Sequence, residues 1–149
     1  MKQKKIWMRF LPHGSLTLLI HIFLFCSCES KIDYIQYATW VYENHSSQTI
    51  DVQAKVFNSF SLTPGKSYVY EVETAAGKYV TPESYSVPYY ADGTTLIVGE
   101  KELLLLENES ILDISSYNTE KIEDRHYRFT YTFTDEIIDE LLTKKQRFR

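Results

Sequence analysis

The side chains able to do acid–base, nucleophilic or metal chemistry are few and scattered. Beyond residue 28 the chain has two histidines, His45 and His126, and no cysteine. A catalytic zinc normally needs three closely spaced protein ligands, and His-Glu-x-x-His does not occur, so neither a metal nor a cofactor is expected. Ser46 and Ser47 follow His45 directly. Neighbours on a tight turn seldom face each other, and Gly-x-Ser-x-Gly is absent. Glu100, Glu102, Glu107 and Glu109 bracket Leu103-Leu104-Leu105-Leu106. Such carboxylates could in principle flank a glycosidic bond, but they also serve as solubilising gatekeepers of an apolar strand. Asp92-Gly93 lacks the spacing of a calcium loop, and Asn44 and Asn108 match a glycosylation acceptor by pattern alone. These residues point to a chain that is not an enzyme.

Aromatic residues are the stronger lead. All 12 Tyr lie beyond residue 33, and Tyr85, Tyr89 and Tyr90 sit beside Pro88. A tyrosine offers a flat apolar face and a hydroxyl, which suits stacking on a sugar or filling a protein interface. Proline within an extended run marks an edge strand or a bulge. The three tyrosines are therefore the candidate binding residues, expected on an exposed surface. The competing reading is that Tyr is simply a good sheet residue with its ring half buried.

The elements that must carry these residues are mostly strands. Ile50, Val52, Ala54 and Val56 alternate with Thr49, Asp51, Gln53 and Lys55, and Tyr127, Phe129, Tyr131 and Phe133 alternate with Arg128, Thr130, Thr132 and Thr134. Period-two alternation predicts strands with one buried and one wet face, hence antiparallel pairing. Asn44-His45-Ser46-Ser47, Thr63-Pro64-Gly65-Lys66 and Ala91-Asp92-Gly93-Thr94 read as turns, with His45 in a hairpin and Asp92-Gly93 favouring another. The Leu103-Leu104-Leu105-Leu106 run reads as a buried strand. Thr134 or Asp135 can cap a late helix of a turn or two in which Ile137, Ile138, Leu141 and Leu142 share a face. The expected architecture is all-β: an antiparallel β-sandwich, immunoglobulin-like or similar, of seven to eight strands with a short C-terminal helix.

Length and charge set the remaining bounds. The chain has 149 residues, 44% of them hydrophobic and 15% aromatic, which suits a single domain. Its formal charge of −4 hides a division, since Lys2, Lys4, Lys5 and Arg9 supply every charge before residue 28. Residues 28–149 hold 12 Lys and Arg against 20 Asp and Glu, a net of −8. A surface of that sign repels phosphate backbones, which argues against nucleic acid as a partner.

The basic segment leads into Leu16-Thr17-Leu18-Leu19-Ile20-His21-Ile22-Phe23-Leu24-Phe25. A positive stretch followed by ten mainly apolar residues makes a secretory signal, and ten residues at about 1.5 Å each reach only half of a roughly 30 Å hydrocarbon core. The signal ends in Leu24-Phe25-Cys26-Ser27-Cys28. This resembles the lipobox of bacterial lipoproteins, in which a small residue precedes a cysteine that is acylated and becomes the new N-terminus. The resemblance implies acyl chains, palmitate among them, on Cys28. Cys26 fits less well, because bulky Phe25 would occupy the small-residue position.

Trp40-Val41-Tyr42-Glu43-Asn44-His45-Ser46-Ser47-Gln48-Thr49-Ile50, Phe60-x-Leu62-x-Pro64-Gly65-Lys66-Ser67, Ser110-Ile111-Leu112-Asp113-Ile114-Ser115-Ser116-Tyr117 and Tyr127-Arg128-Phe129-Thr130-Tyr131-Thr132-Phe133 together resemble small single-domain lipoproteins of the Bacteroides type. That resemblance implies an envelope location and a β-rich fold, and it supplies no active site.

The chain is thus expected to comprise a signal peptide over 1–27, a lipidated N-terminus and tether over 28–34, a single sandwich domain over 35–143 and a basic tail over 144–149. Its expected location is the outer membrane, held through acyl chains on Cys28, with the periplasmic and outward-facing orientations both open. The expected function is that of a non-catalytic binding module for a protein or a glycan. The alternatives are an assembly subunit of an envelope complex and, less favoured, a small hydrolase.

Overall fold

The computed structural model describes residues 34–55, 57–89 and 93–146. The expected signal segment, Cys28, Val56, Tyr90 and Asp92 lie outside the described residues. Eight strands are described: β1 (Tyr34–Asn44), β2 (Ile50–Gln53), β3 (Phe60–Leu62), β4 (Ser67–Ala76), β5 (Thr95–Val98), β6 (Lys101–Leu104), β7 (Asn118–Glu123) and β8 (His126–Phe133). They form two four-stranded sheets, in the orders β4-β1-β8-β7 and β3-β2-β5-β6. Among the described residues one α-helix, α1 (Asp135–Gln146), follows β8. The expected β-sandwich with a C-terminal helix is the fold found.

Alternation builds the core as the side chains require. Trp40 and Tyr42 of β1, and Phe129, Tyr131 and Phe133 of β8, are buried, while Arg128 before Phe129 is exposed and the intervening Thr130 and Thr132 are half-buried. The second sheet contributes Ile50, Val52, Leu62, Leu96, Val98 and Leu103 to the same core. Tyr42 joins the layers, its ring 5.1 Å from Phe60 of β3.

Several local expectations are corrected. β1 and β8 run parallel, Trp40 opposite Phe129 and Tyr42 opposite Tyr131, so the first sheet is mixed. A parallel pair needs a long crossover, and here the whole second sheet lies between the two strands in sequence. Residues 45–49 do not close the expected hairpin; like the turn at 63–66, they carry the chain from one sheet to the other. The hairpins lie elsewhere. β5 pairs with β6 around Gly99-Glu100, with Gly99 at φ +61°, and β7 pairs with β8 around Asp124-Arg125. Glycine meets the positive φ demanded of the first central residue without a Cβ penalty.

The leucine run is half buried, with Leu103 and Leu105 inside and Leu104 and Leu106 exposed, because β6 is an edge strand with one wet face. Tyr34 of β1 pairs opposite Ala76 of β4, and α1 spans Asp135–Gln146. Thr134 caps this helix by accepting the Ile137 N–H at 3.3 Å. Asp135 accepts both the backbone N–H and the hydroxyl of Ser47, each at 3.0 Å. Among the described residues no helix is long and apolar enough to cross a membrane.

Candidate functional site

The lengths of the strands leave one end of the first sheet uncovered by the second. β1 and β4 have 11 and 10 residues, against three or four in β2, β3, β5 and β6. At about 3.3 Å per residue the long pair spans some 35 Å and the short strands only about 10–13 Å. The inward-facing ladder Gln36–Thr74, Ala38–Val72 and Trp40–Tyr70 therefore runs on past the short sheet. The irregular segment 84–88 and Phe57 come over it and leave a cleft of about 340 Å³.

The cleft wall is mainly apolar: Trp40, Tyr70 and Val72 on the sheet, and Phe57, Val87 and Pro88 facing them. Polar groups are few. Gln36 Nε2 donates to Thr74 Oγ1 at 3.0 Å, and Ser84 Oγ is turned to the Thr81 carbonyl at 2.7 Å. None of the described lining residues carries a charge. Trp40, stacked on Phe129, is 0% exposed, and its Nε1–H has no hydrogen-bond partner. An unpaired buried donor costs about 1–3 kcal/mol, so this N–H is a stored deficit in an otherwise packed core.

Tyr85 and Tyr89 stand at the two ends of the covering segment and are not the exposed contacts expected of them. Tyr85 is 7% and Tyr89 1% exposed, and the segment is a 3-10 turn (Pro82–Ser84) followed by irregular chain rather than an edge strand. Each hydroxyl finds a main-chain acceptor, Arg125 O at 3.0 Å for Tyr85 and Asn58 O at 3.1 Å for Tyr89. Burial of a ring whose hydroxyl is satisfied is favourable, and that decides their placement. Burial, with Tyr127 nearby, pushes the Tyr85 hydroxyl up to about 12, so it stays neutral. Tyr85 also lines the cleft, so the segment singled out in the sequence contributes to the wall of a concavity.

His126 lies on the opposite, outer face of the first sheet. A shallow depression of about 280 Å³ there is lined by Thr39 of β1, Glu71 and Glu73 of β4, and His126 of β8. Thr39 Oγ1 and His126 Nε2 are 2.9 Å apart, and His126 Nδ1 is 3.6 Å from Glu123 Oε1. The order hydroxyl, imidazole, carboxylate is that of a nucleophilic relay, but 3.6 Å exceeds a hydrogen bond. β1 is paired on both sides, by β4 and β8, so its N–H groups are committed to ladders and not free to hold an oxyanion beside Thr39.

The other candidates are held in structural roles. His45 pairs with Glu43 at 3.4 Å on the surface. Asn44 is fully buried, donating to Gln48 O and Leu62 O at 2.7 and 2.8 Å and accepting from Ser46 N–H and Oγ–H at 2.9 and 2.7 Å. Glu109, only 6% exposed, pairs with Lys144 at 3.2 Å and accepts the Leu106 N–H at 3.0 Å. Among the described residues no group of three or more His, Cys, Asp or Glu is placed to hold a metal ion.

Sequence reasoning missed the place of Trp40 in the cleft. The available signal was the disparity between one long tyrosine-rich run after Lys66 and the short runs around it. The fold and cleft define a small two-sheet β-sandwich with a neutral, apolar recess at one end of the longer sheet. In comparisons with protein families, with curated proteins and with solved structures, the chain matches none.

Proposed function

We propose that this chain is a lipid-anchored, non-catalytic binding module of the bacterial cell envelope, held through acyl chains on Cys28, and that the cleft between β4 and residues 84–88 seats its ligand. The leader ending in Leu24-Phe25-Cys26-Ser27-Cys28 supports the anchor. The observation that carries the binding role is the cleft itself, an apolar recess at the lower end of the roughly 300–1,000 Å³ typical of ligand pockets.

Filling the recess tests it. Ser86 is exposed and lines the cleft, so Ser86→Trp adds bulk there without cutting into the core. Full-length protein purified from its native membranes is expected to carry a small molecule, detectable by mass spectrometry after extraction, that Ser86→Trp protein lacks. Identical extracts from the two proteins would defeat the reading.

A further inference from the structure

We infer that the cleft selects a neutral, mainly apolar small molecule carrying a hydrogen-bond acceptor, and that Trp40 Nε1–H is the donor that reads the acceptor. The inference rests on the cleft being the ligand seat and goes on to name the ligand's chemistry.

Two independent observations converge on this class. First, the described lining residues are apolar, aromatic, hydroxyl or amide, with no charged side chain among them. An ionised ligand would leave water for this recess with no counter-charge, at a cost its contacts would not recover. A neutral apolar body loses nothing there and gains contact with Phe57, Tyr70, Val72 and Val87. Second, Trp40 lines the cleft, and among the described residues its Nε1–H is a buried side-chain donor without a partner. Indole nitrogen donates only, so the complementary ligand atom is an acceptor such as a carbonyl or ether oxygen. A site holding an unpaired buried donor favours a ligand that pairs it over one of the same shape that cannot.

Access to the donor follows from how the cleft is covered. Residues 84–88 are not part of a ladder; the Tyr85 and Tyr89 hydroxyls tie them at either end to the carbonyls of Arg125 and Asn58. The Trp40 side chain is 0% exposed, so binding through its donor requires the cover of the cleft to move outward.

The test uses the full-length chain in phosphatidylcholine vesicles and three probes: cyclohexanone, methylcyclohexane and cyclohexanecarboxylate. Dissociation constants are measured by calorimetry against matched empty vesicles, for the wild type and for Trp40→Phe, which keeps a ring on Phe129 and removes the donor. The ratio of hydrocarbon to ketone dissociation constants is expected to fall about fivefold in Trp40→Phe, the size of one net hydrogen bond, and the carboxylate is expected to bind weakest to both. An unchanged ratio with both neutral probes bound overturns the role of Trp40 while leaving the cleft as the seat. Tighter binding of the carboxylate overturns neutrality. Failure of all three probes to bind overturns the seat itself.

A second measurement does not depend on the variant folding. In the lipid-anchored chain, which on this account begins at Cys28, Trp40 is the sole indole, and the ultraviolet resonance Raman band that reports indole N–H bonding is expected to move to its hydrogen-bonded position with cyclohexanone and not with methylcyclohexane. A band already at that position without any probe overturns the inference, because the donor would then be satisfied by the protein or its solvent.

Discussion

Trp40 of β1 and Phe129 of β8 occupy the same register position of the parallel pair and stack, ring centroids 4.3 Å apart and planes 16° from parallel. The stack joins strands 89 positions apart in sequence and forms the floor on which the cleft rests. Offset aromatic pairs add to the area they bury, so this contact holds the sheet together at its least local pairing.

Phe129→Ala removes that support. Deleting a fully buried phenylalanine is expected to cost about 3–5 kcal/mol, a large share of a single domain's stability. Urea unfolding followed by circular dichroism measures it. An unaffected midpoint would contradict the placement of Phe129 in the core.

Asn44→Ala removes the side chain that ties the end of β1 to residues 46–48 and to Leu62. It strands the buried carbonyl of Leu62 and removes the acceptor of the Ser46 N–H and hydroxyl. A loss of about 2 kcal/mol or more is expected from urea unfolding, since unpaired buried groups cost about 1–3 kcal/mol each. Asn44→Asp is expected to be nearly as damaging, because a carboxylate cannot donate to the two carbonyls it would face.

Alkaline pH is expected to unfold the domain. Tyr85 sits near 12 in the folded chain against 10.0 for a free tyrosine, and burial raises Tyr42 and Tyr117 further in the same direction. The folded state therefore holds protons that the unfolded state releases above about pH 10. Stability is full below pH 10 and falls as the pH rises toward 12. Tyrosinate absorbance should accordingly show a fraction of the tyrosines ionising only together with loss of the β signal. Smooth titration of all of them near 10, with the fold intact, would contradict their burial.

These buried groups also show which features were legible in the sequence. The Tyr127-to-Phe133 alternation announced β8 because burial of one face imposes period two, whatever the partner strand. The same rule is silent about which strand the partner is, so the parallel pairing of Trp40 with Phe129 could not be read. Turn-forming residues at 44–47 and 63–66 marked where the chain bends but not whether it re-enters the same sheet. Tyr85 and Tyr89 misled for a related reason: a Tyr–Pro–Tyr stretch suits an exposed edge, and only the reach of each hydroxyl to a distant carbonyl makes its burial favourable. The cleft was not legible, since it arises from strands of unequal length meeting across two sheets.

Cys28→Ser tests the anchor. Acyl chains hold a protein to a membrane by about 0.8 kcal/mol per buried methylene, so their loss is expected to leave an unprocessed or mislocalised precursor. Fractionation with detection of the acylated N-terminus measures it. Wild-type protein that is soluble, with Cys28 unmodified, would contradict the lipoprotein assignment.

The most direct test of the binding role places a photoreactive amino acid at Ser86, on the cleft, and in a second protein at Thr132, on the outer face of β8. Both full-length proteins are illuminated in intact cells and their intact masses are measured. The account expects a discrete small-molecule adduct at Ser86 that is absent at Thr132. Adducts of equal yield at both positions, or none at Ser86, would contradict a ligand seat in the cleft.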